Sequence, residues 1–498
     1  MGILIALYTA VVVLLSLYGA HALIMVGLHL RGRRRATAAG ACCPPPEAWP
    51  RVTVQLPVYN ERYVIVRLID AVARLDYPAD RLEIQVLDDS TDATTRLAAR
   101  RVQFWQQRGV NIRLIRRGER TGYKAGALEH GLKLAAGEFI AIFDADFVPP
   151  PDWLRRTVPF LVHHPEVGVV QTRWEHLNAE ASPLTRAQAL ALDGHFGVEQ
   201  PARAQNGLLL NFNGSAGLWR RRCIEEAGGW RSETLSEDLD LSYRAQLLGW
   251  RVAYLPKVTA PAEIPPQMTA FKRQQFRWAK GSAQCVRLLA GSLLRSRLPW
   301  HVRLLGLLHL TGYFIHPGMV ILLLLTLPLL VADKHMETSL PPAWLGLLGL
   351  SAPLLYVTAQ QALRADWGRR LLWLPALMVL GVGLACNNAR AVVEGLFRSG
   401  GEFARTPKFG ARPGRGRTAY RLPADGTTWA ELAMGGYAAL CAAVAVAQHR
   451  WTAVPFLLLY TLGFWWVGGS TLWETLRPAR RRHVPSRSRS RSHQRRAA

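Results

Sequence analysis

Acidic residues and paired cysteines are scarce in this chain. Its 498 residues include 35 Asp and Glu against 61 Lys and Arg, which gives a formal net charge of +26. The six cysteines contain no Cys-x-x-Cys pair, so we predict reduced thiols and neither a zinc site nor a disulfide framework. Only 19% of the residues are charged and 50% are hydrophobic, which excludes both one ordinary soluble domain and a pure membrane bundle. This balance predicts a soluble domain fused to membrane spans.

Much of the excess positive charge is arginine beside apolar segments, which favours a membrane surface over a nucleic-acid partner. We therefore predict a lipid bilayer as partner and no nucleic acid. Residues 476–498 hold nine arginines and no acidic residue. Their Ser-Arg repeat is typical of a disordered tail at the membrane, with RNA binding as the alternative.

Residues 3–29 contain no acidic residue, Lys or Arg, and they are long enough to cross a bilayer. Arg31 and Arg33–Arg35 follow at once, so the positive-inside rule places residue 31 in the cytoplasm. A cleaved signal peptide is the alternative, but the run is too long for one and its charges come after it. We predict a transmembrane helix over residues 1–30 and a basic, proline-rich linker over residues 31–50.

From residue 51 onward, short β-branched strand patterns alternate with amphipathic helix patterns, which is typical of a mostly parallel α/β sheet. Two predicted strands end at carboxylates. Asp88-Asp89 follows the first of these strands, and Asp144 and Asp146 follow the second. Because ligands of such sheets gather at the carboxyl ends of the strands, we expect both groups at one site.

A second apolar region follows Trp300. Its runs are 304–332, 343–363, 371–394, 429–448 and 452–473. If all of them crossed, the strongly basic loop 395–428 would lie outside, against the positive-inside rule. We predict that 371–394 does not cross, because its proline, asparagines and charged residues are costly at mid-membrane. The prediction is an integral, multi-pass cell-membrane protein with five spans and a cytoplasmic soluble domain.

Asp144 and Asp146 are predicted to hold a divalent cation. Two carboxylates one residue apart at a strand end suit Mg²⁺ or Mn²⁺, whose other ligands would include phosphate oxygens. A solvated turn is the alternative for an isolated pair of this kind. The strand pattern of Phe139–Phe143 before it and the second carboxylate pair upstream favour the metal.

Asp88 and Asp89 suit hydrogen bonds to a nucleobase or a ribose. The alternative is a helix cap or an Asx turn before the predicted helix 92–107. Lys124 stands at a predicted helix start, where backbone N–H groups favour a phosphate, and an exposed helix lysine is the alternative. We predict that these three residues bind a nucleotide.

Glu237-Asp238 lies between apolar residues, where burial raises a carboxyl pKa towards the range of a general base. A carboxylate at a helix N-terminus is the alternative, and it is compatible with catalysis. Helical spacing puts Gln274, Arg277 and Trp278 on one face. Arg277 is then suited to a leaving diphosphate and Trp278 to a sugar ring, with an interfacial helix at the lipid headgroups as the alternative.

These motifs, in this order, resemble the processive branch of glycosyltransferase family 2, which includes cellulose synthases, hyaluronan synthases and cellulose-synthase-like mannan synthases. The resemblance covers residues 50–425. It implies a GT-A fold, a divalent cation, inversion at the anomeric carbon and Asp238 as the base. It also implies that Asp88 meets the nucleoside and that Asp144 and Asp146 act at the metal-diphosphate. The family's threonine-glutamate-aspartate motif reads Ser236-Glu237-Asp238 here, a mild departure that keeps the base.

One further stretch is similar to the acceptor-side segment of that family. It is Phe212–Gly217, and the resemblance places Asn213, Gly214 and Ser215 near the acceptor. The asparagine is closer to mannan-synthase-like forms than to cellulose synthases.

Another stretch, Phe403–Lys408, resembles the gating loop that closes over the donor, so that Thr406 and Lys408 are expected to contact the substrate. The cytoplasmic placement of loop 395–428 agrees with this role. No cyclic-di-GMP-binding domain is recognisable after the last apolar run, so control through such a domain is not expected.

The predicted domain order combines these elements. It is 1–30 transmembrane helix, 31–50 linker, 51–265 GT-A domain, 266–300 Gln-x-x-Arg-Trp motif and interfacial helices, 301–365 two transmembrane helices, 366–428 interfacial helix and gating-like loop, 429–475 two transmembrane helices, and 476–498 tail.

The expected function is an inverting membrane hexosyltransferase. It would move a hexose from a nucleotide-sugar, UDP-glucose or GDP-mannose, to the end of a growing β-glycan. One alternative is a non-processive glycolipid synthase that acts on ceramide or diacylglycerol. Another is a scaffold or transporter with an inactive transferase domain, against which the intact carboxylates argue. The sequence identifies no accessory subunit.

Overall fold

The computed structural model describes residues 2–33, 43–332, 348–401, 408, 410 and 425–476. A seven-stranded sheet forms the centre of the soluble part. Its strands are β1 Val52–Val58, β2 Leu82–Asp88, β3 Ile112–Ile115, β4 Phe139–Ile142, β5 Val167–His176, β6 Gly217–Arg220 and β7 Arg251–Ala262. They lie in the order β3-β2-β1-β4-β6-β5-β7, and β6 alone runs antiparallel to its two neighbours. The predicted mostly parallel α/β sheet is therefore confirmed.

Helices cover both faces of the sheet and form the apolar part of the chain. They are α1 Gly2–Arg33, α2 Ile65–Val72, α3 Thr94–Gln106, α4 Tyr123–Leu134, α5 Trp153–His163, α6 Pro183–Gly194, α7 Gln200–Gln205, α8 Arg221–Glu226, α9 Glu237–Leu247, α10 Met268–Arg295, α11 Trp300–Leu310, α12 Ile315–Ala332, α13 Ser351–Leu363, α14 Trp367–Arg370, α15 Leu374–Gly383, α16 Ala385–Phe397, α17 Gly426–Ala447 and α18 Val454–Leu476.

The strands that lead to the site are buried on both faces of the sheet. Every residue of β2 and β4 is buried. β4 is apolar throughout, as expected of such a strand, whereas β2 also carries Glu83 and Gln85, and the Glu83 carboxylate accepts a hydrogen bond from the Thr53 hydroxyl at 2.7 Å. Leu56 belongs to the core on one face, and Leu128 and Ile142 belong to the core on the other. β1 and β2 end level with each other, Val58 pairing with Asp88. The polar residues that follow these strands are therefore presented at one edge.

Three described helical segments are long and apolar enough to cross a membrane: Gly2–Gly32, Gly312–Ala332 and Gly426–Ala447. They coincide with three of the predicted spans. The run predicted not to cross forms a helix pair, Trp367–Gly383 and Ala385–Phe397, bent by 44° at a short break. Such a pair fits either a broken span or a re-entrant loop, so the number of crossings stays a prediction.

Helix α10, which carries the Gln-x-x-Arg-Trp motif, is fixed at its start by the two apolar helices α17 and α18. The Glu474 carboxylate of α18 accepts hydrogen bonds from the backbone N–H groups of Met268 and Thr269, at 2.8 and 3.0 Å. One turn further along, Lys272 Nζ donates to Glu431 Oε2 of α17 at 2.7 Å, and both side chains are buried. These contacts set the position of the motif relative to α17 and α18.

We expect Glu431→Ala to lower the free energy of unfolding by about 3 kcal/mol, because it leaves the Lys272 ammonium group buried without its nearest carboxylate. The measurement is the thermal unfolding midpoint of the full chain in detergent. Glu180→Ala, which removes an exposed partner of Arg186, is the control and should cost less than about 1 kcal/mol. The double variant Lys272→Met/Glu431→Leu should recover most of the loss. Equal midpoints for the two alanine variants would contradict a structural role for this pair.

Candidate active site

A cleft of about 160 Å³ lies at the carboxyl ends of β1, β2 and β4. The separate motifs of the sequence converge on it. The predicted site residues on its wall are Asp89, Lys124, Asp144, Asp146, Asn213, Gly214, Glu237, Asp238, Gln274, Arg277, Trp278 and Lys408. Asp88 and Ser215 are not on this wall, and Thr406 lies outside the described residues.

The two aspartates predicted to hold the metal are each paired with a lysine. Lys124 Nζ lies 2.7 Å from Asp144 Oδ1, and Lys408 Nζ lies 2.6 Å from Asp146 Oδ2. Ser215 supports the first of them from behind, because the Asp144 backbone N–H donates to the Ser215 hydroxyl at 2.9 Å. Both carboxylates thus stand in the cleft as anionic groups that attract positive charge.

Lys124 is the central cation of the cleft. It begins α4, donates to the Gly214 carbonyl at 2.8 Å and lies 3.5 Å from Glu237 Oε1. Burial lowers the pKa of this ammonium group, but Asp144 and Glu237 outweigh burial and raise it above its ordinary value. Lys124 therefore stays charged and joins Asp144 to the Glu237-Asp238 pair.

Asp238 lies in the first turn of α9, against the backbone of Gly214. Burial and then the neighbouring Glu237 raise the pKa of the Asp238 carboxyl from 3.8 to about 7. Lys124 and the Leu239 backbone N–H, which donates to Asp238 Oδ1 at 2.8 Å, act in the opposite direction. A carboxyl that titrates near neutral pH can accept a proton from a hydroxyl and release it again, as a general base must.

Helix α10 brings Gln274, Arg277 and Trp278 to the opposite wall of the cleft. Burial lowers the pKa of the Arg277 guanidinium, while Glu237 and Asp144 oppose the shift, so the group remains a cation beside carboxylates. The predicted common face of these three side chains is present. It gives the cleft a forked cation and an aromatic surface.

The two aspartates after β2 differ in their surroundings. Asp89 accepts two hydrogen bonds from the Arg117 guanidinium, at 2.9 and 2.6 Å, and borders the cleft. Asp88 is buried; its Oδ1 accepts from the Ser90 backbone N–H at 3.0 Å, and Arg116 Nε lies 3.5 Å from its Oδ2. The contact with Ser90 is the Asx turn weighed above as the alternative. A nucleoside role for either aspartate stays a prediction.

An aromatic group that no sequence motif indicated lies on the same wall. The Arg120 guanidinium lies over the rings of Tyr59 and Tyr123, 3.4 and 4.7 Å from their centroids. Tyr123 and Asn60 have positive φ angles of 49° and 58°, a conformation that side chains rarely adopt away from functional sites. Tyr59 directly follows β1, so its position at the end of a strand, like that of the aspartates, was a signal in the sequence.

The cleft falls inside a segment with recognisable relatives. Residues 50–281 match the family model described as "Glycosyltransferase like family 2". Residues 50–281 are a family 2 glycosyltransferase domain. Glucomannan 4-beta-mannosyltransferase 2 of Arabidopsis thaliana is 46% identical over 253 residues, which is 50% of this chain and 47% of that protein. Glucomannan 4-beta-mannosyltransferase 1 of Oryza sativa subsp. japonica is 44% identical over 277 residues, 53% of each chain.

The chain thus spans about half the length of the curated relatives it matches. The resemblance of this family 2 domain to the cellulose-synthase-like mannan synthases is confirmed by that identity. The mannosyltransferase PcManGT from Pyrobaculum calidifontis, solved in complex with GDP-Man and Mn2+, superposes with a TM-score of 0.51 at 23% identity, covering 78% of this chain and 99% of that one. This likeness concerns the fold, and the predicted GT-A architecture is confirmed.

Proposed function

We propose that this protein transfers mannose from GDP-mannose to the end of a growing β-mannan or glucomannan, with inversion at the anomeric carbon, on the cytoplasmic side of a membrane. The observation that carries the proposal is the identity of 44–46% between the cleft-bearing segment and glucomannan 4-beta-mannosyltransferases. The structural neighbour in complex with GDP-Man supports the choice of donor over UDP-glucose.

The residues of the cleft supply the steps of such a transfer. Asp238 takes the proton from the acceptor hydroxyl, whose oxygen then bonds to the anomeric carbon as the bond to the diphosphate breaks. Arg277 and Lys124 stabilise the negative charge on the departing nucleoside diphosphate. The ring of Trp278 offers an apolar face against which a sugar can lie. Each role follows from the position of the group on the cleft wall and is part of the proposal.

Asp144 and Asp146 fit a divalent cation that arrives with the donor. Within the described residues, no group of three or more His, Cys, Asp or Glu side chains is arranged to hold a metal. One or two carboxylates are the usual protein share of such an Mg²⁺ or Mn²⁺ site, and substrate phosphate oxygens and water supply the other ligands. A bound cation would supply charge neutralisation to the diphosphate. Lys124 pairs with Asp144 and Lys408 with Asp146, so both carboxylates stand where a positive charge is favoured.

A second cavity, of about 1120 Å³, supports a polymer over a glycolipid product. It begins at Asp238 and Trp278 and continues between the apolar helices, where Tyr18, Tyr356 and Tyr460 line it. A cavity of this size, next to the proposed base and with tyrosines on its wall, has room for a sugar chain leaving the site. A glycolipid synthase would need room for one sugar and a lipid tail only.

The test is a panel of radiolabelled GDP-mannose, UDP-glucose and other nucleotide-sugars, given to the purified full chain with Mg²⁺, with Mn²⁺ or with a chelator. The expected result is GDP-mannose consumption that the chelator abolishes and a ladder of β-linked mannose products. A single lipid-soluble product would favour the glycolipid alternative. Absence of nucleotide release from every donor would overturn the proposal.

We expect kcat/KM to fall about tenfold for each pH unit below about 7, because the base must be deprotonated and the pKa of Asp238 is about 7. Lys124 lowers the pKa of Asp238, so Lys124→Met should raise it. The fall of kcat/KM at acidic pH should then begin at a higher pH than in the wild type, and the rate itself should also decrease. Lys133→Met, at the exposed end of the same helix, is the control and should leave the pH of this fall unchanged. If kcat/KM of Lys124→Met fell at the same pH as in the wild type, or at a lower pH, the assignment of Asp238 as the base would be contradicted.

A further inference from the structure

A stretch of π-helix, His195–Glu199, lies between α6 and α7 and opens towards the larger cavity. Two glycines hold it against α13. A Cβ atom at Gly194 would lie 2.7 Å from the Tyr356 ring, and one at Gly197 would lie 2.8 Å from Leu363 Cδ1. Such bulges interrupt the regular hydrogen bonds of a helix and often occur at functional sites. Close packing thus maintains a distorted turn next to the cleft.

The bulge presents His195 to the acceptor-side segment. Its Nδ1–H donates to Glu199 Oε2 at 2.9 Å, which fixes the plane of the ring. Its Nε2 lies 2.9 Å from Asn213 Oδ1 and 2.9 Å from Gln200 Nε2. Burial raises the pKa of the Glu199 carboxyl, but the hydrogen bond and charge of His195 lower it to about 2, so this partner is ionised.

Asn211 completes this cluster. Its Nδ2 donates to Asn213 Oδ1 at 3.0 Å, and its Oδ1 accepts from Gln200 Nε2 at 3.3 Å. Gln200 Oε1 is fully buried and has no hydrogen-bond partner among the residues that the structure describes. The polar side chains of His195, Asn211 and Asn213 line the larger cavity, so this part of its wall is chemically suited to a ligand with several hydroxyl groups.

The cluster adjoins the proposed base. Asn213 lines both the cleft and the larger cavity, and His195 lines the cavity together with Asp238. The residue after Asn213 touches that base: a Cβ atom at Gly214 would lie 2.9 Å from Asp238 Oδ2. A hydroxyl group held by Asn213 would therefore be next to the carboxylate that is to deprotonate the acceptor.

We propose that His195, oriented by Glu199, is a positioning residue that sets the Asn213 amide in the polar subsite for the terminal sugar of the acceptor. The inference rests on the proposed transfer function and deepens it by naming the residue that positions the acceptor-side amide. A lipid alcohol with one hydroxyl group would use only one of the polar groups on this part of the cavity wall. The donor side of the cleft, around Lys124 and Arg277, is separate from these contacts.

The test compares the wild-type full chain with His195→Ala and His195→Gln, whose amide can reach the position of Nε2. His301→Ala, at an exposed histidine of α11, is the matched control. Binding of mannohexaose and cellohexaose is followed by tryptophan fluorescence. GDP release from GDP-mannose is measured with and without hexasaccharide. We expect His195→Ala to raise the Kd and KM of the hexasaccharide about tenfold. The KM of GDP-mannose and its slow hydrolysis without acceptor should stay within about twofold.

His195→Gln should recover part of the acceptor affinity, and His301→Ala should match the wild type. Unchanged hexasaccharide affinity in His195→Ala, or an equal loss of donor and acceptor affinity, overturns the inference. Wild-type protein that consumes GDP-mannose but binds neither hexasaccharide also overturns it and leaves the proposed function standing. Wild-type protein that consumes no donor defeats the proposed function, while the binding measurements still decide the role of His195.

Discussion

Asp238→Asn is expected to reduce sugar transfer by about 10³-fold while leaving GDP-mannose affinity within about threefold of the wild type. The amide keeps the size of the side chain but cannot accept the hydroxyl proton. Lys124, Arg277 and the metal-site carboxylates stay in place, so the donor keeps its contacts. Transfer is measured as incorporation of labelled mannose, and donor binding as GDP-mannose affinity in the presence of the cation.

The same variant is expected to be at least as stable as the wild type at pH 8. The pKa of Asp238 rises from 3.8 to about 7 on folding, so its ionisation costs stability increasingly as pH rises through this interval. Asn removes that cost, and the thermal midpoint at pH 8 should not fall. Asp152→Asn, at an exposed carboxylate before α5, is the isosteric control and should keep full activity. Near-normal transfer by Asp238→Asn would exclude Asp238 as the base.

Arg277→Lys is expected to lower kcat by about 10²-fold, with a smaller change in the KM of the donor. Lysine keeps the positive charge among Glu237 and Asp144 but loses the planar fork that can bind two phosphate oxygens at once. Because charge on the diphosphate grows as the sugar–oxygen bond breaks, the loss should appear mainly in kcat. Single-turnover transfer with labelled GDP-mannose measures this step directly.

Arg287→Lys is the matched control for this variant. Arg287 lies on the same helix, is exposed, and its guanidinium donates to the Ser399 hydroxyl at 2.6 Å, away from the cleft. The same substitution there should change kcat less than about twofold, since exposed polar contacts contribute little. If Arg277→Lys behaved like Arg287→Lys, the guanidinium would not be needed for departure of the diphosphate.

Much of the site could be predicted because its residues stand where local patterns end. Asp144 follows an apolar strand, Lys124 begins a helix, and Arg277 and Trp278 share a helical face. In each case the position of the side chain depends on the period of its own segment and on the rule that parallel strands present their carboxyl ends at one edge. Each of these patterns lies within one segment, so it can be recognised from the sequence without knowing which other segments pack against it.

Other features of the site depend on contacts between segments that are far apart in the sequence. The sequence favoured Asp88 over Asp89 for the nucleoside, whereas in the structure Asp89 is the one of the two that borders the cleft, because the chain turns after β2 and buries Asp88. Ser215, predicted near the acceptor, accepts a hydrogen bond from the Asp144 backbone N–H, and its role towards the acceptor stays a prediction. No pattern singled out His195, because a π-helical bulge depends on packing against α13 and not on the local period.

The sequence by itself determined the family of the domain, its mostly parallel sheet, and the carboxylates and cations that meet in the cleft. The tertiary structure decided which partners these groups acquire: Lys124 among three carboxylates, Asp146 with Lys408, Lys272 with Glu431, and Asn213 with His195. The reason is physical. Periodicity fixes the side of a strand or helix on which a residue lies, but ion pairs, burial and pKa values depend on how separate elements pack against one another.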